Sequence, residues 1–165
     1  MEQTTAELRR RTFERAIKLL AAKPRSVAEL RERLLQRRGT TEDVVETVIS
    51  RLREYGYLND ERFAFSYASL KVKQKPVGRR RLERDLKFKK IESGVANEAL
   101  ELVYAETTEE QLIDQAIAKR LRIRGRPKSR AEAKSLFDHL LRQGFGFELV
   151  SDKVRSLATD YTDED

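Results

Sequence analysis

Three pairs of leucines recur along the chain, Leu30/Leu34, Leu82/Leu86 and Leu136/Leu140, with 52 and then 54 residues between successive pairs. A spacing of four puts both side chains of a pair on one face of a helix, so each pair marks an amphipathic helix. A second apolar pair follows each: Val44/Val48 lies 10 and 14 residues after Leu34, Val95/Ala99 lies 9 and 13 after Leu86, and Val150/Val154 lies 10 and 14 after Leu140. A further stripe precedes each, Ile17/Leu20, Tyr67/Leu70 and Ile117/Leu121. The repeating unit therefore reads as helix-helix-helix, present three times. The expected fold class is all-α, with three tandem three-helix repeats at residues 1–58, 59–106 and 107–159 forming an elongated, curved helical array. Units this small sit near the lower limit of independent stability, which favours cores completed by stacked neighbours. The competing reading is a single compact bundle whose spacings coincide.

Local punctuation agrees with helices of this length. Ser26-x-x-Glu29, Thr107-x-x-Glu110 and Ser129-x-x-Glu132 fit capping boxes, in which a hydroxyl accepts from a backbone N–H three residues on and the Glu reaches back. Gly56-Tyr57 and Gly144-Phe145 fit helix stops, glycine taking the left-handed conformation and the next residue folding onto the last turn. At the first of these, Gly56 ends a helix, Tyr57 and Leu58 are expected to plug the seam between repeats, and Asn59 or Asp60 caps the next helix. These residues are structural.

Composition removes most chemistry. The chain has no cysteine and one histidine, so disulfides, thiolate nucleophiles and Cys- or His-rich metal sites have no residues to build them. His139 reads as a half-exposed helical residue beside Leu140. Gly125-Arg126-Pro127-Lys128-Ser129 ends like a phosphate loop but lacks the second glycine and preceding strand, and reads as a helix stop and cap. Acidic pairs such as Glu29/Glu32 and Asp43/Glu46 read as solvated faces, with a carboxylate-only magnesium site as the alternative. No enzyme and no cofactor is expected. The longest apolar runs are four residues, Leu19 to Ala22 and Leu102 to Ala105, too short for a membrane span or a signal core, and a cytoplasmic monomer is expected.

With 35 Lys+Arg against 28 Asp+Glu, the net charge is +7, and a polyanion or acidic surface is the natural partner. The excess is local: residues 61–105 carry 11 basic and 6 acidic side chains, whereas 106–165 carry 11 and 12. Candidate binding residues for DNA or an acidic partner are Lys71, Lys73, Lys75, Arg80, Arg84, Lys87, Lys89 and Lys90. With Leu82 and Leu86 inward, Arg80, Arg84 and Lys87 gather on the opposite face, while Arg81 can pair with Asp85. A second cluster, Lys119 to Arg130, contains no acid and adds Arg122, Arg124, Arg126 and Lys128. The alternative is a basic face kept for solubility. Phe63, Tyr67 and Phe88 could stack on bases, though Phe63 and Tyr67 read as core. Four acids among residues 160–165 suggest a disordered tail.

These residues resemble a family, the bacterial RecX regulators of the RecA recombinase, over Phe13 to Leu157. The resemblance rests on Gly56-Tyr57-Leu58-Asn59-Asp60-x-x-Phe63-Ala64, with Ser26-x-x-Glu29-Leu30, Gly78-x-x-Arg81-Leu82-x-x-x-Leu86 and Leu140-x-x-x-Gly144-Phe145, in order. The chain departs from the family at Lys90, where glycine is usual, and in its acidic tail. The resemblance implies tandem three-helix units that bind RecA and its nucleoprotein filament on DNA, inhibiting recombinase, ATPase and co-protease activities. The alternative function is a helical DNA-binding protein or transcription regulator acting without RecA.

Overall fold

The structure, a computed structural model, describes residues 2–158, and among them there are nine α-helices and no strand. They are α1 (Glu2–Ala22), α2 (Val27–Leu35), α3 (Glu42–Glu54), α4 (Asp60–Gln74), α5 (Arg79–Phe88), α6 (Ser93–Glu106), α7 (Glu109–Arg124), α8 (Arg130–Arg142) and α9 (Phe147–Ala158). The chain is all-α, as its periodicity requires. The acidic tail falls outside the described residues.

The caps follow the sequence with two adjustments. Ser26 makes a full capping box with Glu29. The box expected at Thr107 and Glu110 forms one residue later, between Thr108 and Gln111. A glutamine side chain offers the same carbonyl acceptor to the cap amide that a glutamate would, so both registers satisfy the motif. At Ser129 the hydroxyl accepts from Glu132 N–H, but the Glu132 carboxylate accepts from Lys128 N–H, one residue before the cap.

Three helices stop in one way. After α3, Gly56 N–H donates to Arg53 O and Tyr57 N–H to Leu52 O. After α8, Gly144 N–H donates to Leu141 O and Phe145 N–H to Leu140 O. After α5, Lys90 N–H donates to Lys87 O and Ile91 N–H to Leu86 O. All three are Schellman motifs, and each demands a left-handed residue at its turn. Gly56 (φ 73°) and Gly144 (φ 95°) supply it without penalty, whereas Lys90 (φ 57°) adopts it with a side chain. The absence of glycine at position 90 therefore leaves the helix ending intact and places a strained residue there.

The chain forms two compact units, one of Met1–Ala64 and Leu86–Ala96, the other of Phe65–Asp85 and Asn97–Asp165. The first has a core of Ala16, Leu30, Leu34, Val45, Val48, Ile49, Leu52 and Leu58, with Phe13, Ile17 and Leu20 packed against it. The second has a core of Leu112, Ile113, Ala116, Leu136, Leu140, Phe145, Val150 and Val154. All six leucines of the repeated pairs are buried.

Two register expectations need correction. In α6 Val95 is half-buried, and the inward residues are Ala96, Ala99, Leu100 and Val103. Ala96 and Leu100 lie 10 and 14 residues after Leu86, the spacing of the other two repeats. In α4 the buried residues are Ala64 and Ala68, while Leu70 is 56% exposed. Ala64 and Ala68 hold the inward positions there, and alanines carry little weight in an apolar-periodicity reading.

Each unit contains one junction in which a helix start meets a helix end. In the first, Ser26 Oγ donates to Lys89 O at 2.8 Å, and Val27 N–H, at the start of α2, donates to Asp60 Oδ1 at 2.9 Å. Asn59 is the residue that caps α4, accepting from Arg62 N–H at 2.8 Å, and this frees Asp60 for the junction. In the second, Gly78 N–H donates to Gln143 O at 2.9 Å, Arg80 N–H to Gly144 O at 3.2 Å, and Arg79 N–H to Glu109 Oε1 at 2.8 Å. The amide that opens each helix is thus satisfied by a carboxylate from another helix, as the macrodipole favours, while the carbonyl end of a third is bound by the Ser26 hydroxyl in the first junction and by backbone amides in the second. Leu58 is buried, but Tyr57 does not plug a seam: its ring is 58% exposed and stands edge-on to Tyr55.

Candidate nucleic-acid and protein interface

In the second unit, α5 presents Leu82 to the interior and Arg80 and Arg84 to solvent. The expected Arg81–Asp85 pair is replaced by longer-range bonds. Arg81 donates to Gln143 Oε1 at 3.1 Å, and Asp85 accepts from the Tyr67 hydroxyl at 3.2 Å. Arg79 pairs with Glu83 at 3.1 Å. Nothing of this kind engages Arg80 or Arg84, which make no ion pair with a described residue. At the end of α4, Lys71 Nζ lies 5.4 Å from the Tyr67 ring centroid, a cation–π contact, and Lys73 and Lys75 are exposed without a carboxylate partner among the described residues. Burial holds the Tyr104 hydroxyl well above its ordinary pKa, helped by the Glu109 charge, and it donates to Val77 O at 2.9 Å.

The cluster at the end of α7 and just beyond it is exposed along Arg122, Arg124, Arg126 and Lys128, and Pro127 among them is buried. Gly125 ends α7 at φ 73°. His139, on α8, is held below its ordinary pKa by partial burial and by Arg120, Arg142 and Arg124, so it is neutral at pH 7.

The first unit holds the rest of the basic run. Lys87 is exposed, and the adjoining Phe88 is 89% exposed. Lys89 is committed inward: its Nζ is 2.9 Å from Glu29 and 5.8 Å from the Phe63 ring centroid. Burial pushes the Glu29 carboxyl up, but hydrogen bonds from Lys89 and Ser26 N–H, with the charges of Lys89 and Lys23, outweigh it and hold Glu29 below its ordinary pKa. Lys90 stands 3.6 Å from Glu32 in an exposed pair, which is weak in water. Phe63 is therefore part of a partly buried ion-pair cluster, whereas Phe88 is open to solvent.

Sequence reasoning missed one surface. Phe13, Tyr55 and Tyr57 make a chain of edge-on rings with centroids 6.2 Å apart, and both tyrosines are more than half exposed. Their only signal is position, two aromatics flanking a helix-stop glycine. No group of three or more metal-ligating side chains and no helix long and apolar enough to cross a membrane occurs among the described residues.

The first three-helix domain of RecX matches residues 13–52, and the second matches residues 59–100. The regulatory protein RecX of Bacillus licheniformis is 29% identical over 153 residues, covering 93% of this chain and 57% of its own length. That of Treponema pallidum strain Nichols is 36% identical over 110 residues, 67% of this chain and 66% of the relative. That of Prosthecochloris aestuarii is 28% identical over 151 residues, 92% of this chain and 96% of the relative. The chain spans little more than half the length of the Bacillus relatives. In structure it is similar to RecX from Lactobacillus salivarius, with a TM-score of 0.81 at 19% identity over 93% of this chain and 99% of that one. A second RecX crystal structure gives a TM-score of 0.79 at 20% identity, covering 93% and 74%. These two likenesses concern the fold.

Proposed function

The chain belongs to the RecX family, and from that premise we propose that it is a regulator that binds RecA and its nucleoprotein filament on DNA. In this reading it restrains strand exchange, ATP hydrolysis and co-protease activity, and so acts in DNA repair and the SOS response as a cytoplasmic monomer. The observation that carries the reading is the solvent face of α5, where Arg80 and Arg84 stand opposite buried Leu82 with no ion-pair partner among the described residues. Like charges four apart cost a helix a few tenths of a kcal/mol, so the pair is best satisfied by an anionic surface. Lys73, Lys75 and Lys87 supply further uncommitted charge, and Lys71, held against the Tyr67 ring, adds its own. A body that engages successive filament subunits hinders the rearrangements that turnover requires.

A second reading, DNA binding without RecA, is favoured by Phe88. A ring 89% exposed beside Lys87 suits a single-stranded base better than a protein core.

The test is RecA's single-stranded-DNA-dependent ATP hydrolysis with substoichiometric protein at two salt concentrations. Inhibition is expected, and the variant R80E/R84E/K87E, with unchanged helical content, is expected to lose most of it. Unaffected hydrolysis alongside DNA binding that weakens steeply with salt would make the second reading the account of the protein.

A further inference from the structure

We propose that a cleft in the second unit, between α7, the end of α8 and the residues that follow α4, binds a phosphate ester. The cleft has a volume of ≈ 230 Å³ and is lined by Lys75, Lys119, Arg120, His139 and Gln143, with apolar surface from Pro76, Ala116 and Ile123. No carboxylate lines it. Lys75, Lys119 and Arg120 make no ion pair with a described residue, so three cations from two segments border one opening without compensation.

The neutral groups continue the pattern. Gln143 already accepts through Oε1 from Arg81 at 3.1 Å, which leaves its amide N–H groups to donate. His139, kept neutral at pH 7 by burial and the surrounding arginines, offers one ring N–H. The polar lining is therefore almost wholly donors, arriving from α7, from α8 and from the segment after α4. An acceptor-only group with oxygens in several directions fits such a lining, and a tetrahedral phosphate does so better than a planar carboxylate. Pro76, Ala116 and the 70% exposed Ile123 give the carbon side of an ester something to lie against. The volume falls below that of sites for drug-sized ligands and suits one phosphate with part of its ester. Only the anion's chemistry enters this inference, so it does not depend on RecA.

The chain's one histidine provides the readout. In proton NMR of the full chain at pH 7, both inorganic pyrophosphate and a twelve-nucleotide oligothymidylate are expected to shift the His139 ring resonances saturably. Bound negative charge also offsets Arg120, Arg124 and Arg142, so the His139 titration midpoint rises on binding. Arg120→Gln and the exposed Lys75→Gln are each expected to weaken binding about tenfold. A response to the oligonucleotide assigns the site to backbone phosphate esters, and a response to pyrophosphate alone overturns the ester and leaves a free phosphate anion as the ligand. No response to either probe overturns the proposal, as does wild-type binding by both variants. Loss of filament inhibition with the His139 response intact would remove the previous reading and leave this one standing.

Discussion

The two junctions do the same work with different chemistry. In each, the N–H that opens a middle helix, Val27 or Arg79, donates to a carboxylate in the first turn of another helix, Asp60 or Glu109. The residue two positions further, Glu29 or Arg81, then reaches a residue at the C-terminal end of another middle helix, Lys89 or Gln143. The carbonyl end is where they differ. The first junction engages it with a side chain, Ser26 Oγ on Lys89 O, at 2.8 Å. The second engages it with backbone: a Cβ on Gly78 would lie 2.2 Å from Gly144 C, and one on Gly144 would lie 2.5 Å from Arg81 Cβ. A side-chain bridge tolerates adjustment. Backbone against backbone does not.

The sharpest way to break this comparison is Gly78→Ala, which should cost about 3 kcal/mol of stability in urea denaturation, since the atoms it meets are main chain. Ser26→Ala at the equivalent place should cost about 1.5 kcal/mol, removing a cap and one buried bond without a clash. Equal losses in the two variants would refute the distinction. Asp60→Asn and Glu109→Gln should each cost about 1 kcal/mol and by similar amounts, because both replace a charge-assisted acceptor at a helix start with a neutral one. Lys90→Gly should stabilise by about 0.5 kcal/mol, as relief of the left-handed strain exceeds the extra freedom given to the unfolded chain; a loss would mean the Glu32 pair matters more than the backbone. The gentlest contrast is acid. The Glu29 carboxyl is lowered in the folded chain, so its contribution is present above its ordinary value of 4.5 and lost as pH falls through the lowered one. Glu29→Gln should flatten that part of the stability profile, whereas the Arg81–Gln143 contact, with no carboxylate, should leave it unchanged.

Much of the architecture is legible in the residue order. The leucine pairs mark the buried faces of α2, α5 and α8, Ser26 and Gly56 mark a start and a stop, and the exposure of Arg80 and Arg84 follows from the helical period once Leu82 is placed inward. Which cations stay uncommitted is less legible. Lys89 looks like its neighbours in sequence, yet its partner Glu29 lies sixty positions away. Asp60 looks like a cap beside Asn59 and instead accepts from Val27.

The sequence by itself determined the helices, their order and the buried faces of α2, α5 and α8, because period, caps and stops are set within a few residues of one another. Only the tertiary structure decided that Lys90 takes a glycine's conformation, that alanines rather than Tyr67 and Leu70 form the inward face of α4, and that Lys75, Lys119, Arg120 and His139 border one cleft. Those outcomes depend on groups brought together across long stretches of chain, where packing and paired charge outweigh the local preference of any single residue.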